Sequence, residues 1–400
     1  MKWRSSLEAL FILNAFLICA YLIALPLWKG ELGYTLAETL MNYTFGFYRR
    51  ALMGNLLIHL PGWVWILAAI TLLYTLCLMA PLVLIRRLAK GSGWTLPVMI
   101  ALFYCPFGTA LYLKDPLAVR KELFFYLLFW AFYETGVRRP GWRVGAAGLL
   151  IGLGCLIHES FLFLFLPFLL GFLWLNAWVA RPWQAVLGLW GVVVTLLLSY
   201  LPGNSAAVTE QLIGQYVALG FERAQFTAFE YFQKLPPGQN IREASRHLTG
   251  VNPLVYGGLY LLFGSLLWVM PRLAGARVQL PRPKDLLIAL AVILVAAFSL
   301  GFIAMDYGRW LGVAFTTSLL LTASQLPKAK ARTVASPGLW GWAALLVCFA
   351  AFFVLRVPHF TDLAFDPAQW AMVHRLLGKD LLLLAVAMGL IRFSRILIRV

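Results

Sequence analysis

Between Val144 and Val179 the chain runs thirty-six residues, apolar almost throughout, whose only acidic, basic or imidazole side chains are the adjacent His158 and Glu159. A bilayer's hydrocarbon core of about 30 Å takes about 20 helical residues, so this run is too long for one span and just long enough for two. The pair divides it into fourteen residues, Val144 to Ile157, and twenty, Ser160 to Val179. The shorter piece rises only about 21 Å at 1.5 Å per residue and falls short of the far surface. His158 and Glu159 are therefore expected to lie recessed. A carboxylate at such depth costs roughly 2.5 to 3.5 kcal/mol on insertion scales and usually faces a protein interior or a watery cavity.

The rest of the chain follows the same pattern. With 62% apolar and 12% charged residues over 400 positions, it has the composition of a polytopic membrane protein. The start, Lys2 and Arg4 followed by an apolar run to Trp28, reads as a retained first span because no small-residue cleavage site follows. Spans are expected near 7–28, 63–85, 94–113, 122–134, 144–157, 160–179, 184–201, 252–270, 286–304, 311–326, 338–356 and 380–396. The expected fold is all-α: one transmembrane helical bundle over 1–400 with about twelve spans. Its first outer loop, 29–62, would carry an interfacial helical segment, and a second large outer loop would cover 202–251. Five cysteines lie singly in apolar runs, which suggests neither a disulfide framework nor a metal site.

The net charge of +17 reports topology rather than nucleic-acid binding. An even number of spans puts both termini on one side. The loops and ends on that side hold 19 of the 33 basic residues against three acids. By the positive-inside rule that side is cytoplasmic, which points to an inner-membrane protein whose opposite, periplasmic face carries the histidines and nearly all acids. Chemistry, if present, belongs there.

Four outer-face clusters stand out. Tyr48-Arg49-Arg50, followed by Gly54, sets two guanidiniums where arginines are usually scarce. Their forked donors suit diphosphate oxygens, although an interfacial pair meeting bulk phospholipid has the same sequence. Lys114-Asp115-Pro116 leads to Arg120-Lys121-Glu122, five charges in nine positions, readable as a solvated turn or as a cationic binding element. His158 and Glu159 could supply a general base for a hydroxyl, a proton relay, or only helix-end hydrogen bonds. Cys155, one turn earlier, raises a thiol nucleophile as a further option, though packing is the usual role of such a cysteine. In Met305-Asp306-Tyr307-Gly308-Arg309-Trp310, Asp306 and Arg309 are three apart, a spacing at which helical side chains meet.

On these motifs, Tyr48-Arg49-Arg50 with Gly54, Arg120-Lys121-Glu122, His158-Glu159 and Asp306 to Trp310, the chain resembles the Wzy-like O-antigen and capsule polysaccharide polymerases. More broadly it resembles the GT-C-fold membrane glycosyltransferases. The likeness in architecture covers most of the chain. It implies a GT-C-like bundle, an undecaprenyl-diphosphate-linked glycan as donor, a sugar acceptor and no nucleotide sugar. Membrane lipids and a polysaccharide-assembly complex would be its partners, with no cofactor. The first outer loop has only Glu31 and Glu38 where GT-C enzymes often carry a DxD-like element, which favours a metal-free reaction. The expected roles are Glu159 as base with His158 orienting it, Asp306 or Asp115 in reserve, and Tyr48, Arg49, Arg50, Arg120, Lys121 and Arg309 holding the diphosphate carrier. A transferase adding single sugars from a polyprenyl phosphate, a flippase or other transporter, and a non-catalytic scaffold are the alternatives.

Overall fold

The computed structural model describes residues 2–30, 33–45, 51–90, 94–114, 119–199, 205–232, 282–300 and 307–326, with the isolated positions 258 and 261. Every regular element among them is a helix. In chain order these are α1 (Lys2–Trp28), α2 (Gly33–Leu40), α3 (Leu52–Leu57), α4 (Trp63–Leu88), α5 (Thr95–Tyr104), α6 (Thr109–Lys114) and α7 (Phe124–Arg138). They continue with α8 (Arg143–Ile157), α9 (Phe161–Leu164), α10 (Leu166–Leu175), α11 (Arg181–Ser199), α12 (Ala206–Ala218), α13 (Pro283–Leu300) and α14 (Tyr307–Gln325). Six stretches are long and apolar enough to cross a membrane: Ser5–Trp28, Trp63–Leu88, Thr95–Lys114, Pro140–Ile157, Arg181–Leu198 and Pro283–Leu300. Six such apolar helical stretches in one chain make this a membrane protein. The spans expected at 252–270, 338–356 and 380–396 lie outside the described residues, apart from positions 258 and 261.

Two expected spans are broken. Cys105 is extended (φ −63°, ψ 139°), as the residue before Pro106 must be to avoid its ring, and this separates α5 from α6. At Phe165 (φ −124°, ψ −34°) the chain restarts as α10, with Pro167 in its first turn, where a missing N–H costs nothing. A third break is the expected one: α8 stops at Ile157 because His158 is extended (φ −163°, ψ 129°). Gly154 permits the return that follows, since a Cβ there would run into the Phe161 ring.

The helix ends fix depths. α1 and α4 are antiparallel: Arg86, late in α4, lies 3.4 Å from Glu8, while the Trp28 and Trp63 rings meet at 5.8 Å. α7 runs alongside α4, with Arg87 3.3 Å from Glu134 near its end and Phe124 at its start against Tyr74. Tyr74 is eleven residues into α4, so α7 begins about 16 Å below the Trp63 end. An aromatic ladder joins α7 to the returning chain: Phe125 contacts Phe161 at 5.0 Å, and Phe129 contacts Phe168 at 4.7 Å and Phe172 at 5.1 Å. Edge-to-face pairs of this kind add about 0.5 to 1.5 kcal/mol each beyond area burial. They supply specific packing here, where lipid gives helices little hydrophobic reason to associate. The start of α7 and the end of α8 are thereby held at one recessed level.

The segment expected as the first outer loop does not lie open along a surface over its described part. Residues 35–42, which include most of α2, are all buried, and α2 packs against the 3-10 segment Arg223–Phe232 and against α3. At α3 the contact is backbone to backbone, since a Cβ on Gly54 would overlap the Met41 carbonyl.

Candidate functional site

Three helix starts or ends and one short link converge at the recessed level. Arg120 is extended and leads into the 3-10 turn Lys121–Leu123, which continues as α7 and puts Glu122 at a helix start, where the dipole favours a carboxylate. His158 follows α8, Arg309 sits in the first turn of α14, and Glu38 comes from α2. Their charges alternate. The Arg120 Nη1 lies 3.7 Å from Glu38 Oε2, Glu38 Oε1 lies 3.8 Å from His158 Nε2, and His158 Nε2 lies 3.6 Å from Glu122 Oε1. Arg309 closes the series with a two-pronged approach, Nη2 to Glu122 Oε1 and Nη1 to Glu122 Oε2, both 3.4 Å. Glu38 and Glu122 are 2% and 1% exposed, and Arg120, His158 and Arg309 6 to 7%.

The imidazole's orientation is set locally. The Ser160 backbone N–H donates to Nδ1 at 3.1 Å, so the neutral ring carries its proton on Nε2 and turns that N–H toward both carboxylates. A metal ion bound between these groups would need the Nε2 lone pair instead. Among the described residues no group of three or more His, Cys, Asp and Glu side chains has a metal-holding arrangement.

Glu38 is fixed from two sides. Thr39 Oγ1 donates to the Thr35 carbonyl at 2.7 Å and therefore accepts from the Tyr74 hydroxyl of α4, 2.6 Å away. Beyond the end of α2, Tyr216 of α12 donates to the Leu40 carbonyl and accepts from Asn42 Nδ2 at 2.9 Å. Burial pushes the Tyr216 phenol well above the ordinary tyrosine value, which the hydrogen bond from Asn42 only partly opposes.

Of the residues expected from sequence, Arg120, His158 and Arg309 fall within this array, and Lys121 is fully buried beside it in the chain. Glu159 borders the array: its Oε2 lies 4.0 Å from His158 Nδ1, on the opposite ring edge from the two buried carboxylates, and its side chain is 27% exposed. Tyr48, Arg49, Arg50, Asp115 and Asp306 lie outside the described residues. Cys155 is buried with its Sγ 3.5 Å from Thr195 Oγ1 on α11. Sequence reasoning did not place Glu38 or Glu122 in the site. Glu122 lies in the charged motif Arg120-Lys121-Glu122, and the visible signal for Glu38 is a lone acid between Thr35 and Thr39 in a short helix of mixed composition.

No family model matches the chain, and neither the curated proteins nor the solved structures contain a match.

Proposed function

We propose that the protein is a bacterial inner-membrane enzyme that transfers a glycan from an undecaprenyl-diphosphate carrier to a sugar acceptor on the periplasmic face, polymerising surface polysaccharide. The observation that carries this reading is the buried alternation Arg120, Glu38, His158, Glu122, Arg309, with Glu159 at its more exposed rim. Intramembrane ionisable groups are expensive and mark sites where charge is handled. Among the described residues, Arg120, Lys121 and Arg309 are buried basic side chains in or beside this array. Guanidinium and ammonium groups gathered in this way suit an anionic guest. The twelve-span, GT-C-like architecture with both termini cytoplasmic belongs to the same proposal, and the basic bias of the loops supports it.

In this reading Glu159 takes the proton from the acceptor hydroxyl. The acceptor oxygen bonds to the donor's anomeric carbon as the bond from that carbon to the diphosphate oxygen breaks. The leaving diphosphate keeps the electron pair, and Arg120 and Lys121, with Tyr48, Arg49 and Arg50, hold its charge. Arg309 acts through Glu122, whose carboxylate it holds in a fork, and His158 is oriented by both buried acids. Asp115 and Asp306 are the reserve acids. No cofactor or metal is required.

The test is glycan chain length in a deletion strain complemented with Glu159→Gln, Arg120→Gln or Arg309→Ala at matched protein level. The long ladder is expected to collapse by about 100-fold or more for Glu159→Gln, the scale of losing a general base. Full-length chains from all three variants would exclude the reading, and a single-sugar increment would favour a polyprenyl-phosphate-sugar transferase. One observation favours a second reading, transport of the lipid-linked glycan: an imidazole Nε2 lying 3.6 to 3.8 Å from two buried carboxylates is also the arrangement of a proton relay. Carrier trapped on the cytoplasmic leaflet in the deletion strain would select it.

A further inference from the structure

We infer that the groove between α8 and α11 holds an acyl chain of an anionic phospholipid whose headgroup is gripped by arginines at the groove's end. The groove has a volume of about 530 Å³, and its walls include Gly148, Gly152, Leu156, Trp183, Leu187 and Trp190. Its lining is apolar: the Trp190 indole N–H is satisfied inside the wall by the Gly148 carbonyl at 3.1 Å, which leaves only ring faces and aliphatic carbon. Among the described residues that line it, a sugar or a polar peptide would find no partner.

Length and charge select the occupant. Along α8 the groove runs from Val144 to Leu156, about 18 Å at 1.5 Å per residue, close to one leaflet's share of a hydrocarbon core about 30 Å thick. Its Val144 end adjoins Arg143, and Trp183 lies two residues after Arg181, so both helices begin at this end with an arginine. Arg138 and Arg139 are exposed at the turn before α8. Trp142, 63% exposed, and Trp178, on whose ring Arg143 stacks at 4.5 Å, complete a belt of indole and guanidinium groups. Indoles gather at the headgroup level of a bilayer, and basic pockets between membrane helices bind anionic headgroups.

Two glycines in the groove wall give a probe, because a Cβ at Gly152 would meet open space and one at Gly148 only an ordinary contact with Leu187. The full-length protein is reconstituted in vesicles of equal phosphatidylglycerol and phosphatidylcholine, extracted in mild detergent, and its retained lipids are counted by native mass spectrometry. Wild type is expected to keep phosphatidylglycerol over phosphatidylcholine by about fivefold for each arginine that reaches the headgroup. Gly152→Leu fills the groove and is expected to lose the retained lipid while eluting as a folded monodisperse species. Gly148→Leu reads the same property should Gly152→Leu fail to fold. Arg181→Gln is expected to keep a lipid and lose about fivefold of the preference. Equal retention of both lipids by wild type overturns the inference, as does retention unchanged in both leucine variants. Displacement of phosphatidylglycerol by undecaprenyl phosphate would reassign the groove to the carrier, and a wild-type dimer that Gly152→Leu splits would reassign it to a second copy; either result also overturns it.

Discussion

Two groups of ion pairs in this protein have nearly the same distances and opposite surroundings. Where α1 begins and α4 and α7 end, Arg86 pairs with Glu8 at 3.4 Å and Arg87 with Glu134 at 3.3 Å, with arginine side chains 35% and 54% exposed. At the recessed level Arg309 pairs with Glu122 at 3.4 Å and Arg120 with Glu38 at 3.7 Å, with no side chain more than 8% exposed. Distance therefore says little about what each pair contributes. Burial decides it: an exposed pair is worth about 0 to 1 kcal/mol, whereas removing one member of a buried pair leaves an uncompensated charge and costs about 3 to 5 kcal/mol. The largest expected effect follows. Glu122→Gln or Arg309→Met alone should lower thermal stability in detergent by about 3 to 5 kcal/mol, and the double variant should recover much of that loss. Additive losses in the double-mutant cycle would mean that the two residues do not act as a pair.

The next effect concerns how the recessed site is held. Tyr216→Phe removes only the hydroxyl that joins α12 to the Leu40 carbonyl and to Asn42, and so loosens the element that carries Glu38. A loss of about 1 kcal/mol is expected, since Asn42 Nδ2 still donates to Gln215 Oε1 at 3.1 Å and to the Leu40 carbonyl at 3.5 Å. The phenol also predicts a pH dependence. Its folded value is raised by burial, so its contribution is fully present below the unfolded tyrosine value of about 10 and is lost as pH rises beyond it, where the unfolded chain releases the proton first. Wild type should therefore lose stability more steeply than Tyr216→Phe above that pH. Parallel curves would show that α2 is held by its other contacts.

Much of this arrangement was legible in the sequence, for identifiable reasons. The interruption at His158 and Glu159 was visible because two ionisable residues in thirty-six apolar ones must break the pattern, and the short helix before them, Arg143–Ile157, ends there. The breaks at Cys105 and Phe165 were hidden, because a proline inside an apolar run does not reveal whether the helix kinks or stops; Pro81 sits within α4 without ending it. The site was half legible. Arg120, His158 and Arg309 announce themselves as charges beside apolar spans. Their partner Glu38 does not, because α2 has the composition of a surface helix and is buried through tertiary contacts, among them α3, Tyr74 of α4 and the segment Arg223–Phe232 far later in the chain. Arg309 reads locally as a partner for Asp306 three residues back. Its fork with Glu122, 187 positions away, is a fact of tertiary packing that no local spacing carries.

The smallest expected effect tests the exposed side of the comparison. Arg87→Gln removes a guanidinium that is more than half exposed, from a carboxylate that Arg138 also approaches at 3.8 Å. Water and the second arginine both replace what is lost, so the stability change should be below about 1 kcal/mol and should shrink further as ionic strength rises toward 1 M, where the screening length falls to about 3 Å. The buried Arg309→Met loss should barely respond to the same salt, because counter-ions cannot reach between side chains that are 7% and 1% exposed. Thermal unfolding of both variants in low and high salt separates the two. If salt moved them equally, the recessed array would be open to solution ions, and the low-dielectric character on which its proposed chemistry rests would be lost.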